Sequence, residues 1–453
     1  MKSVNPASGD LIKEYEQMSN DELKSIVQET SEAQKDWSQK SFAYRSQLLK
    51  KVAATLRAEK EELAKLMANE VGKPLAQGVS EAEKCAWVCE YYADNAEDFL
   101  ADEQIESDGT KSYIHYNALG TVLAIMPWNF PFWQLFRFAA PALMAGNAAI
   151  LKHAPNVTGC ALKIEEIIHD TGIPKSIFRT VIADVDQTQA LIVNPDIAAV
   201  TLTGSTRAGK AVAEKAGSVL KKTVLELGGS DPYIILEDAD LDKAAETCVT
   251  SRLINSGQSC IAAKRLVVVE QVYDDFLNKV VESMKSKVVG DPFEEDTDIG
   301  PMARVDLRDE LHEQVQKSIE NGAHCILGGE KPDGDGAYYP ATILTEVSKG
   351  MPAYNEELFG PVLSIIKVND EAEAIKVAND TKYGLGAAIF SEDVQKAEKI
   401  ASEDIEAGCT FVNAFVKSDP RLPFGGIKES GYGRELSEAG IKEFVNIKTV
   451  YVN

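Results

Sequence analysis

The chain has 453 residues, of which 44% are hydrophobic and 26% charged, and its formal net charge is −24. That length fills more than one core and the composition is that of a globular protein. The negative surface repels nucleic-acid phosphate and anionic lipid, and no apolar stretch reaches the roughly 18 residues of a bilayer span, so neither nucleic acid nor membrane is an expected partner.

Met1-Lys2-Ser3-Val4-Asn5-Pro6 has no apolar signal core, so a cytoplasmic location is expected. The first hundred residues read mainly as helices. Ser19 with Glu22 makes a capping box ahead of Leu23 and Ile26. Leu48, Leu49, Val52 and Leu56 recur at helical spacing, as do Leu63, Leu66 and Met67. Cys85 and Cys89 stand four apart with no second Cys/His pair at zinc spacing, so no metal is expected. The seven cysteines are scattered, which argues against a disulfide framework.

Residues 113–118 and 121–126 read as strands. From 147 to 227, strands at 148–152, 177–182, 198–203 and 223–227 alternate with helices at 162–169 and 208–216. Apolar strands alternating with helices predict a parallel sheet covered on both faces. A second alternation runs from 233 to 413, so the expected class is α/β with two successive units. The last strand, 446–452, has no obvious local partner and invites pairing with another chain.

Several segments carry possible chemistry. In Met126-Pro127-Trp128-Asn129-Phe130-Pro131-Phe132-Trp133, two prolines fix the backbone around one amide, which suits an oxyanion donor. Thr203-Gly204-Ser205-Thr206 lies between a strand and a helix, where exposed N–H groups can hold a phosphate; it is equally an ordinary connecting turn, and it is not a GxGxxG fingerprint. Glu226, in Leu225-Glu226-Leu227-Gly228-Gly229, is either a partnered structural carboxylate or a general base. Cys260 ends the small-residue turn Asn255-Ser256-Gly257-Gln258-Ser259-Cys260. A lone cysteine is commonly an inert buried thiol, and none of the five histidines lies near this one in sequence. Glu357-Leu358-Phe359-Gly360-Pro361 and Pro423-Phe424-Gly425-Gly426 are further rigid turns.

Taken in order, these segments and Lys152 resemble the aldehyde dehydrogenase superfamily over nearly the whole chain. The resemblance implies a Rossmann-like cofactor domain (1–106 and 119–228), an α/β catalytic domain (229–436) and oligomerisation strands (107–118 and 437–453). It implies a Cys260 nucleophile, an oxyanion held by Asn129 and the Cys260 N–H, and water activated by Glu226, a residue that relatives forming acyl-CoA or reducing acyl phosphates lack. For the cofactor it implies contacts at Trp128, Lys152, Gly204, Ser205, Leu227, Glu357 and Phe359.

Two positions depart from the pattern of NAD-preferring members. Pro155 stands where many carry a glutamate that bonds the ribose hydroxyls, so a 2′-phosphate is not repelled and Lys152 can pair with it. Asp184 and Asp186 replace a glycine turn and would oppose that phosphate if they faced it. The expectation is use of both cofactors, with NADP favoured over NAD.

Trp133, Arg137, Ser418 and Arg421, with the short N-terminus, resemble the compact bacterial succinate-semialdehyde dehydrogenases. Arg137 follows Asn129 by about two helical turns, which suits a substrate carboxylate unless it makes a surface salt bridge. The resemblance implies a homodimer or homotetramer, and Ala262 stands where larger relatives carry a second, redox-switching cysteine. Other short aldehydes, such as glutarate semialdehyde or an aliphatic one, and a non-catalytic protein on the same scaffold are the alternatives.

Overall fold

A computed structural model describes residues 1–453. Two parallel-rich sheets dominate it. The first has six strands in the order Gly431–Tyr432, Lys222–Glu226, Ile197–Thr203, Thr121–Met126, Ala148–His153 and Phe178–Thr180. The chain starts at Thr121–Met126 and builds outward to one side, then crosses back to build the other. The Thr121–Met126 strand therefore has parallel neighbours on both sides that lead to separate halves. Such a reversal opens a crevice at the carboxyl ends of the strands, where doubly wound sheets bind ligands. The strand TVLAIM is almost wholly buried, as burial on both faces requires.

The second sheet has seven strands: His324–Leu327, Thr342–Thr345, Val362–Val368, Arg265–Val269, Pro232–Ile235, Gly386–Phe390 and Cys409–Val412. All neighbours are parallel except the antiparallel first pair. The return segment then crosses to the first sheet, where Gly431 pairs with Glu226 antiparallel. That crossing carries Phe424, Gly425 and Glu435 over the end of the Glu226 strand. Gly425 has φ +153°, and a Cβ there would lie 2.7 Å from Glu226 Oε1, so the segment passes closely only as glycine.

The helices Leu75–Phe99 and Trp133–Met144 set the site's third wall. Every residue of Trp133–Met144 is buried, including Gln134 and Arg137. The Leu75–Phe99 helix packs across it, and Gly78 brings its backbone close to Ala64 on the preceding helix, Lys60–Val71. Its Gln77, Ser80, Glu81 and Lys84 recur at three- and four-residue spacing and so share one face.

The C-terminal strand does have a partner within the chain. Val445–Val452 pairs antiparallel with Lys111–Ala118 along all eight residues, and Glu103–Gln104 continues that small sheet. The partner lies too far away in sequence for local patterning to show it. The strand's other edge is free, with Ile447, Tyr451 and Val452 exposed. No helix is long and apolar enough to cross a membrane.

Candidate active site

The thiol of Cys260 owes its position to an unusual turn. Asn255 and Ser256 both have φ of +53°, and Gly257 has φ +77°. Left-handed backbone at non-glycine residues costs roughly 1–3 kcal/mol each and needs support from its surroundings. That support is present. Asn255 Nδ2 donates to the Asn129 carbonyl at 2.7 Å, and the Asn255 N–H donates to Gln77 Oε1 at 2.7 Å. Ser256 Oγ donates to the Gly300 carbonyl at 2.9 Å, and the Ala303 N–H donates to Gln258 Oε1 at 2.9 Å. A Cβ on Gly257 would lie 2.2 Å from the Gly360 carbonyl oxygen, so no other residue fits there.

Cys260 stands on the wall between two cavities. One, of about 290 Å³, is lined by Trp128, Asn129, Thr203, Gly204, Ser205, Glu226, Leu227, Glu357 and Phe359 among others. It opens at the strand ends, where the sheet order reverses. Ser205 caps the helix Thr206–Gly217, accepting the Ala208 N–H at 3.3 Å. Trp128 and Phe359 meet edge to face with ring centres 5.7 Å apart. Glu357 accepts the Gly229 N–H at 3.1 Å and pairs with Lys264 at 3.2 Å, while Lys264 also donates to the Cys260 carbonyl at 2.6 Å. A helix start, a short glycine turn and an edge-to-face aromatic pair suit a phosphate-bearing dinucleotide.

Lys152 and Pro155 lie beyond this cavity, at and after the end of the adjacent strand. Lys152 is partly buried, which pulls its pKa down, and Asp184 opposes that pull. Asp184 is occupied as the cap of the helix Val185–Val193, accepting the Gln187 N–H at 2.8 Å, and it also accepts from Gln17 at 2.8 Å.

The second cavity, of about 330 Å³, is lined by Gln77, Lys84, Phe130, Trp133, Arg137, Ile254, Ser418 and Phe424 among others. Trp133 Nε1 donates to Ser418 Oγ at 3.1 Å. Arg137 reaches the cavity wall with its guanidinium 4.8 Å from the Phe424 ring centre, but it forms a buried ion pair with Glu435. Arg421 turns away to chelate Asp419, at 2.9 and 2.7 Å, and does not line the cavity. Lys84 was invisible to motif reading. Its only sequence signal is the spacing of Gln77, Ser80, Glu81 and Lys84 along one face of a helix that carries many other polar residues.

The electrostatics around the thiol favour neutral groups in the free protein. Burial pushes the Cys260 thiol up to about 12, against a smaller pull from Lys264 and Arg137. Burial, reinforced by Glu435, holds the Glu226 carboxyl well above the ordinary carboxylate range, with Arg137 opposing. Neither Glu226 oxygen has a hydrogen-bond partner in the chain. Asn129 Nδ2 donates to the Gln258 carbonyl at 3.1 Å, which leaves its second hydrogen free, and the Cys260 N–H finds no acceptor. Thiol, unpartnered carboxyl and two spare donors thus line one space, the set that acyl chemistry on a carbonyl requires.

The family model for the aldehyde dehydrogenase family matches residues 1–450. The chain belongs to the aldehyde dehydrogenase family. Among this family's members it is 46% identical over 453 residues to succinate-semialdehyde dehydrogenase [NADP(+)] 1 of Mycobacterium tuberculosis H37Rv, covering 99% of each chain. It is 44% identical over 449 residues to the succinate semialdehyde dehydrogenase [NAD(P)+] Sad of Escherichia coli K12, covering 99% of this chain and 97% of that one. The crystal structure of the Streptococcus pyogenes succinic semialdehyde dehydrogenase with NADP+ superposes with a TM-score of 0.97 at 37% identity, over 100% of this chain and 99% of that one. The expected aldehyde dehydrogenase fold is therefore the observed one.

Proposed function

We propose that the protein oxidises succinate semialdehyde to succinate with NADP, and more weakly with NAD. The observation that carries this is the position of Cys260, on the wall shared by a dinucleotide-type crevice and a cavity holding cations and Ser418. The relatives' names support the substrate and cofactor. Trp128, Gly204, Ser205, Leu227, Glu357 and Phe359 would hold the dinucleotide, with Lys152 toward the 2′-phosphate and no carboxylate at Pro155 to repel it. A bound nicotinamide supplies the hydride acceptor.

Every other task falls to side chains of the chain. The Cys260 sulfur attacks the aldehyde carbon and gives a thiohemiacetal, whose oxyanion accepts from Asn129 Nδ2 and the Cys260 N–H. A thiol with pKa near 12 is a poor nucleophile in the free enzyme, so its ionisation depends on a base and on positive charge brought close. After oxidation the acyl group rests on Cys260 as a thioester. Glu226 then takes a proton from water, and its raised pKa makes it the stronger base once ionised. Hydrolysis releases the acid and restores the thiol. The free edge of Val445–Val452 supports assembly into a homodimer or homotetramer, and we infer a cytoplasmic location.

The test is a panel of aldehydes assayed with NADP and NAD separately, following cofactor reduction. The highest kcat/KM is expected for succinate semialdehyde with NADP. A neutral aldehyde of equal length that matches it would overturn the substrate, and a requirement for coenzyme A would overturn hydrolysis.

A further inference from the structure

Five charged side chains line the second cavity or border it, and their pairing is uneven. Arg137 is ion-paired with Glu435. Glu81 is ion-paired with Lys73 and accepts the N–H groups of Phe132 and Trp133 at 2.9 and 3.0 Å. Asp419, just outside, is chelated by Arg421. Lys417 is exposed at the mouth. Lys84 is different: it is partly buried, lines the cavity and has no carboxylate within ion-pair distance. Its Nζ donates to Ser418 Oγ at 2.9 Å and lies 4.2 Å from the Trp133 ring centre.

A cation withdrawn from water without a counter-charge is costly, and burial lowers the Lys84 pKa to about 8. An anion entering the cavity repays that cost. The hydroxyl beside it is oriented to help. Ser418 Oγ already accepts from both Lys84 and Trp133, so its own hydrogen is left to donate. An ammonium and a hydroxyl donor side by side make a receptor for one carboxylate.

We propose that Lys84, with the Ser418 hydroxyl, binds the distal carboxylate of the aldehyde substrate, while Arg137 stays paired with Glu435 and does not supply the recognising charge. This rests on the substrate reading above and assigns its specificity to a residue on the Leu75–Phe99 helix. Lys84 touches substrate remote from the reacting carbonyl.

The test uses Lys84→Met and Lys84→Arg in the full-length enzyme with saturating NADP. The readout is the ratio of kcat/KM for succinate semialdehyde to that for butanal, which does not depend on the folded fraction. Lys84→Met should lower this preference about 10- to 100-fold, mainly through KM for the semialdehyde, the effect of losing one charge-assisted hydrogen-bonding partner. Lys84→Arg should retain most of it. Succinate as an inhibitor against butanal gives a second readout, and its Ki should rise by a similar factor in Lys84→Met. If the wild type shows no preference and no inhibition by succinate, the substrate reading falls and this inference falls with it. If the wild type discriminates and Lys84→Met discriminates equally, the Lys84 assignment alone is overturned.

Discussion

The two cavities that meet at Cys260 are built by different means. The dinucleotide-type crevice is made of strand ends, turns and a helix start, so its shape is set largely by the backbone turns at Gly204, Ser205 and the prolines around Asn129. The aldehyde-side cavity is made of side chains projecting from two helices and the return segment, notably Lys84, Trp133, Arg137, Ser418 and Phe424. Backbone-built sites demand glycine and proline at fixed places and leave a sequence signature. Side-chain-built sites place ordinary residues on ordinary helices and leave almost none. The same molecule therefore reveals its chemistry in its motifs and hides its choice of aldehyde.

The sharpest break in the comparison is at the shared wall. Cys260→Ser removes the nucleophile used from both sides, and kcat should fall by at least about 10⁴-fold while nicotinamide cofactor still binds, measured by fluorescence titration. Glu226→Gln separates acyl formation from hydrolysis. Steady-state turnover should fall about 10²- to 10⁴-fold, yet a burst of about one reduced cofactor per site should survive in stopped flow. Loss of the burst as well would show that Glu226 acts before the thioester.

Pro155→Glu probes only the cofactor side, beyond the crevice. It puts a carboxylate where the 2′-phosphate is expected, and KM for NADP should rise about tenfold relative to KM for NAD. The smallest effect probes only the other side, through pH. The cation at Lys84 is the binding form, present below its pKa of about 8 and lost above it. The preference for succinate semialdehyde over butanal should thus fall about fourfold between pH 7 and 8.5, as one proton leaves near 8. The groups around Lys84 do not mimic this. Arg137 and Glu81 are ion-paired, Asp419 is held low by Arg421, and Cys85 is held well above its ordinary range by burial.

What the sequence disclosed follows the same division. The parallel sheets, the Cys260 turn and the Asn129 segment were legible because alternating apolar strands and crowded turn residues admit few structures. The engagement of Arg137 by Glu435 was not legible, since those residues meet only when the return segment crosses between sheets. The raised pKa of Glu226 depends on the same crossing. The partner of the C-terminal strand was missed for an equivalent reason: Val445 meets Ala118 only in the folded chain. Lys84 was missed because a lysine within a 25-residue helix reads as solvated surface.

The polar face of the Leu75–Phe99 helix has a consequence for how such an enzyme can change. Ser80 and Lys84 border the aldehyde-side cavity, yet neither hydrogen-bonds to the turn that presents the thiol. That turn is held instead by Gln77, Asn129, Gly300 and Ala303. Diet and chemistry are thus separable in this scaffold. A designer can exchange residues at positions 80 and 84 to suit a neutral, basic or bulkier aldehyde and leave the reacting centre mechanically undisturbed, whereas the same freedom one turn earlier, at Gln77, would unseat it.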